Sequence, residues 1–160
     1  MTTLAGWSAG RLGPIYFLAQ ASTEQQRRIN YILLIDPGTY GELSGCDSKV
    51  GAGMLLAGWL VLNPSSRLVI LAGDLTADSE RPVNGYAHAG IQNVYLEEIR
   101  RAKKVGLDMS RVLICNYTVP GTLKHSHEVM FQGGNKYIQE PPLTSCPNIS
   151  GAKRGVGWHP

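Results

Sequence analysis

Three stretches of this chain are nearly unbroken apolar runs: Tyr31 to Asp36 (YILLID), Arg67 to Ala72 (RLVILA) and Arg111 to Asn116 (RVLICN). A short run without polar alternation is the pattern of a strand covered on both faces, as in a parallel sheet. Between the first two, Val50, Met54, Ala57 and Val61 recur at helical spacing over Ser48 to Leu62, and Asn63-Pro64 ends the helix. Between the second and third, Ile91, Val94, Tyr95, Ile99 and Ala102 make an apolar stripe within Tyr86 to Val105. Glu97 and Arg101 form an i, i+4 pair on its other side, Lys103 and Lys104 suit its negative end, and Gly106 suits its termination. Strand, helix, strand, helix, strand with crossovers of this length implies right-handed βαβ units. The expected fold is therefore α/β: a Rossmann-like three-layer α/β/α domain with a short parallel sheet and helices on both faces.

The same pattern divides the chain. Residues 31–132 form the α/β domain, including a weaker helix at Thr122 to Phe131 that follows Pro120-Gly121. Residues 133–160 are rich in Gly, Pro and polar side chains and are expected to be an irregular tail with little to bury. Residues 1–30 are a lead-in with a short helix around Thr23 to Arg28. Within it, Arg11 precedes the apolar run Leu12 to Ala19, and Ala19-Gln20-Ala21 resembles a small-residue cleavage site. The run is short and holds Gly13 and Pro14, whereas a membrane span needs about 20 apolar residues, so no membrane segment is expected.

Composition narrows the classes further. A chain of 160 residues accommodates one core, and 43% hydrophobic with 17% charged residues fits a folded, soluble globule. The net charge of +3 is spread over small groups such as Arg27-Arg28 and Arg100-Arg101, which read as solvated helix faces, so no nucleic-acid partner is expected. Cys46, Cys115 and Cys146 are odd in number and lack C-x-x-C spacing, which favours reduced thiols in the cytoplasm and supplies no metal site.

In an open α/β sheet the ligand crevice lies outside the carboxyl ends of the strands, which singles out the three loops that follow them. The first begins at Asp36, and its Gly38, Gly41 and Gly45 permit tight turns and close backbone approach to an anion. Its spacing matches neither G-x-G-x-x-G nor the P-loop, so an ordinary connection is the competing reading. The second starts at Gly73-Asp74 and is long for a strand-helix connection, a property of binding loops. Asp36 and Asp74, both at strand ends, are placed to hold a sugar hydroxyl, a metal or a shared proton. The alternative is one capping carboxylate and one solvated one. The third loop leads from Asn116 through Thr122 to Lys124-His125-Ser126-His127. His125 and His127 diverge by roughly 200° on a helix and do not make a helical metal pair; His125 is the candidate acid or base, a surface histidine being its competing reading. No G-x-S-x-G elbow is present, and Cys46 is the thiol best placed for activation near a helix start. No motif specifies a cofactor.

Taken together, YILLIDPGTYGELSG, NPSSRLVILAGD, KKVGLDMSRVLI and NYTVPGTLKHS resemble the SanA/YdcF/ElyC-like family, a bacterial α/β domain, over about Tyr31 to Met130. The resemblance implies one cleft lined by the ends of the first two of these strands and by the helix start after the third. In this chain those places fall to Ile35-Asp36, Gly73-Asp74, and Thr122 with Lys124 and His125. It also implies further strands, for which the sequence has no counterpart before Pro160.

Three functions are carried forward. The leading one is a domain that binds a small anionic or nucleotide-type molecule through Asp36, Gly38, Gly41, Gly73, Asp74 and Thr122. The second makes the same cleft hydrolytic, with Asp74 or His125 activating water. The third is an incomplete domain whose open sheet edge is finished by a protein partner or a second copy.

Overall fold

The computed structural model describes residues 1–7, 12–36, 52–74, 103, 104 and 106–155. They form a Rossmann-like α/β domain on a five-stranded, mostly parallel sheet. The elements run β1 (Thr3–Trp7), α1 (Leu12–Gln20), α2 (Thr23–Arg27), β2 (Tyr31–Ile35), α3 (Ala52–Leu62), β3 (Arg67–Asp74), a 3-10 turn (Met109–Arg111), β4 (Val112–Thr118), α4 (Leu123–Gly134), a second 3-10 turn (Asn135–Ile138) and β5 (Lys153–Arg154). The strands lie side by side in chain order. β1 to β4 are parallel in register, and β5 pairs antiparallel with the end of β4 through Tyr117↔Arg154 and Thr118↔Lys153.

This order explains the unbroken apolar runs. Right-handed crossovers that always step the same way place their helices on one face of the sheet. On that face α1 and α3 pack Ile15, Leu18, Leu56, Trp59 and Leu60 against Ile32, Leu34, Leu68, Ile70 and Ile114. Trp59 anchors α3 by donating its indole N–H to the Ile29 carbonyl at 3.2 Å. At the C-terminus of α3, where carbonyls lack helical partners, Arg111 donates to the carbonyls of Leu60 (3.0 Å) and Asn63 (2.8 Å).

The other face carries Tyr31, Leu33, Ile35, Val69, Leu71, Leu113, Cys115 and Tyr117, and neither α1 nor α3 covers it. The chain after β4 does so instead: α4 contributes Met130, and the segment beyond it contributes Tyr137, Ile149, Leu143 and Cys146. Two glycines let α4 lie close. A Cβ on Gly134 would stand 3.0 Å from Ile35 Cγ2, and one on Gly133 would stand 2.3 Å from Ile149 Cγ2.

Three expectations change. The lead-in supplies an edge strand, Thr3–Trp7, and its apolar run Leu12 to Ala19 lies in a helix whose Ile15 and Leu18 are buried in the core. The tail from residue 133 is irregular yet packed, because the uncovered sheet face gives its scattered apolar side chains something to bury against. Cys115 and Cys146 are not separate thiols; they form a disulfide with Cα atoms 5.5 Å apart, joining β4 to that segment. The thiols pair because α4 reverses the chain and brings residue 146 back beneath β4, which cysteine spacing alone does not encode. The helix expected over Tyr86 to Val105 falls almost wholly outside the described residues. Among the described residues no helix is long and apolar enough to cross a membrane.

Candidate functional site

The carboxyl ends of β1, β2 and β3 carry Trp7, Asp36 and Gly73-Asp74, and α4 crosses beneath them. Asp36 directly follows β2 and is 3% exposed, with φ at 43°, a left-handed conformation uncommon for a residue with a side chain. Its backbone N–H donates to the Leu71 carbonyl at 2.6 Å, which holds the chain there at the end of the sheet. Turned this way, the carboxylate points inward. Oδ1 accepts the Gly73 backbone N–H at 3.1 Å, and Oδ2 pairs with Nδ1 of His127 on α4. A carboxylate removed from water is retained only with such partners, and here both oxygens are occupied.

His127 is held on two sides. Asp36 binds Nδ1, the Trp7 indole meets the imidazole edge-on with centroids 6.4 Å apart, and Trp7 in turn lies 4.5 Å from the Phe131 ring, one helical turn beyond His127. The hydrogen bond to Asp36 raises the imidazole above its ordinary titration range; burial opposes the shift and the Asp36 charge adds to it. The His127 side chain remains 28% exposed, and no hydrogen bond reaches its Nε2 among the described residues. Two further polar atoms of this region are buried with no partner among the described residues: Trp7 Nε1 and Ser126 Oγ.

The local sequence accounts for the arrangement. Thr122 caps α4, its Oγ1 accepting the His125 backbone N–H at 3.3 Å. From that start the helical period turns Ser126, Met130 and Gly134 toward the sheet, with His127 and Phe131 along the edge nearest β1. Gly73 fits tightly beneath: a Cβ there would lie 2.9 Å from Ser126 Oγ, 3.1 Å from Met130 Cγ and 3.4 Å from Asp36 Oδ1.

The sequence candidates separate accordingly. Asp36 is central. Gly73 is present as the donor to Asp36 and as the seat of α4, so its missing side chain serves helix packing. Asp74 ends β3 in register with Thr118, and its side chain lies outside the described residues, as do Gly38 and Gly41. Thr122 is exposed and engaged in capping. His125 is exposed in the first turn, with its ring over Gly121, and is not the histidine that meets Asp36. His127 is. The two histidines diverge as their spacing requires, and the one facing the sheet could have been chosen from apolar Met130, since positions three and four before it share its face.

Chemically, a buried carboxylate bound to one imidazole nitrogen fixes the tautomer and leaves the other nitrogen to exchange a proton or bind a ligand. Among the described residues no group of three or more His, Cys, Asp or Glu side chains could hold a metal ion. No family model, no curated protein and no solved structure matches the chain. The fold and the site therefore define a class by geometry alone: a Rossmann-like α/β domain with a carboxylate-histidine pair at its strand ends.

Proposed function

We propose that this domain binds a small anionic or nucleotide-type molecule at the carboxyl ends of β1 to β3 and hydrolyses it, with His127 as the base that activates water. The observation that carries this reading is the Asp36–His127 pair: Asp36 holds the proton on Nδ1, so neutral His127 offers Nε2 as the acceptor. When Nε2 takes the proton of the attacking water, the adjacent carboxylate stabilises the imidazolium, as the raised titration range of His127 reflects. Trp7 Nε1–H, buried without a partner among the described residues, is a further donor suited to an anionic ligand. Gly38 and Gly41 follow Asp36 in the sequence and, in this reading, offer their backbone N–H groups to the anionic part of the ligand.

The test begins with thermal shifts of the full chain against nucleotides, S-adenosylmethionine, sugar phosphates and divalent ions. A ligand at a hundred times its dissociation constant stabilises the fold by about 2.7 kcal/mol. With a responding class in hand, His127→Gln is expected to retain the shift and lose turnover, and Asp36→Asn to lose turnover by releasing the tautomer. Turnover unchanged in His127→Gln overturns the assignment.

A second reading rests on the sheet edge. β1 has no strand on its outer side among the described residues, so a second copy or a partner strand is the occupant to test by sedimentation. The cellular setting is proposed from the Cys115–Cys146 pair: disulfides persist in oxidising compartments, which turns the expectation away from the cytoplasm.

A further inference from the structure

The segment after α4 is held against the sheet by the apolar side chains of Tyr137, Leu143 and Ile149, by the pairing of β5 with β4, and by a small set of hydrogen bonds. Ile149 is buried against Gly133, Tyr117 donates its hydroxyl to the Pro147 carbonyl at 2.6 Å, Arg154 donates to the Cys146 carbonyl at 2.9 Å, and the Gly155 N–H reaches the Asn116 carbonyl at 2.8 Å. Around Cys146 itself, residues 139–141, 144, 145 and 148 are exposed and the backbone is irregular. Within that exposed stretch the disulfide at Cys146 joins the strap covalently to β4. The strap in turn backs α4, since Ile149 sits on Gly133 and Gly151 lies beside Val129. α4 carries His127 to Asp36.

We propose that Cys146 is a thiol-exchange site and that the Cys115–Cys146 disulfide is a reversible latch holding the strap against α4. The asymmetry of the two sulfurs directs the exchange: Cys115 is wholly buried in β4, whereas Cys146 is partly exposed. A glutathione-type thiolate attacks Cys146 Sγ, forming a mixed disulfide and expelling the Cys115 thiolate, which takes a proton. A second such thiol attacks the external sulfur, leaving as the oxidised dimer of the reductant and releasing Cys146 as a thiol. Two external thiols are thus oxidised and one protein disulfide is reduced. When the strap closes, β5 pairs again with Tyr117 and Thr118 and returns residue 146 to β4, so oxidation restores the same pair. The latch does not depend on which reaction the Asp36–His127 pair performs.

Hydrogen exchange of the full-length protein, oxidised and after treatment with reduced glutathione, tests the proposal, with the ring-proton signals of His127 read in the same samples. Reduction is expected to raise exchange across residues 139–155 on the order of a hundredfold, to shift the His127 signals, and to leave β2 and β3 protected. Cys46→Ser should behave identically, and Cys146→Ser should reproduce the reduced pattern without reductant. The latch is overturned by unchanged exchange in the strap, by loss of protection in all strands at once, or by both thiols staying free under oxidised glutathione.

Discussion

Gly133→Ala sets two effects of opposite sign against each other at one atom. Alanine replaces glycine near the end of α4, which by helix propensity alone stabilises by about 0.5 to 1 kcal/mol. The new methyl, however, falls 2.3 Å from Ile149 Cγ2, 3.2 Å from its Cβ and 3.3 Å from its Cγ1. Carbon atoms rest at about 3.5 to 4 Å, so Ile149 must retreat by about 1 Å. Its branched side chain is stiff at χ1 and 4% exposed, with little free space to move into. Overpacking of this kind costs about 1 to 3 kcal/mol, which exceeds the propensity gain. The expected net effect is a loss of about 1 to 2 kcal/mol, read as a lower urea midpoint at unchanged slope. In an Ile149→Ala background, itself costing roughly 2 to 4 kcal/mol, the obstacle is gone and Gly133→Ala should become stabilising. The double-mutant cycle then reports a coupling of about 2 kcal/mol. A Gly133→Ala protein more stable than the parent, or strictly additive variants, would refute the docking of the strap on α4.

Further outcomes follow from the same geometry. His127 titrates higher when folded, so its contribution to stability is full below about pH 6.5 and declines as pH rises through the folded value. The urea-midpoint gap between the parent and His127→Gln should therefore narrow from pH 6 to pH 9, and a widening gap contradicts the assignment. Thr122→Ala removes the cap of α4 and should cost about 1 kcal/mol, while Thr122→Ser retains most of it; equal losses would mean that the hydroxyl is not the cap.

The sheet was legible because three of its strands are buried on both faces. Burial from both sides demands apolar side chains at every position, and YILLI, RLVILA and VLIC carry that demand in the sequence. Asp36 was legible for a related reason: a carboxylate closing such a run marks the strand end, and strand ends are where ligands meet an open sheet. β1 was hidden because an edge strand is covered less completely, so in Thr3–Trp7 the small residues Ala5 and Gly6 separate Leu4 from Trp7 and leave no readable period. The pairing of Asp36 with His127 instead of His125 was hidden as well, since it turns on the rotation of α4. That rotation is set by Gly73, Ser126 and Gly134 seating the helix on the sheet.

The chain's own pattern thus determined the parallel α/β architecture, the stop of α3 at Asn63-Pro64 and the position of Asp36 at a strand end. Local residue preferences and two-sided burial suffice for these, because each acts within a few positions of the residue it constrains. Only the tertiary structure decided that residues after 133 close the second face, that Cys115 meets Cys146 across 31 positions of sequence, and that His127 is the partner of Asp36. Each of those depends on where a reversing helix comes to rest, and long-range packing sets that position where no short-range pattern can record it.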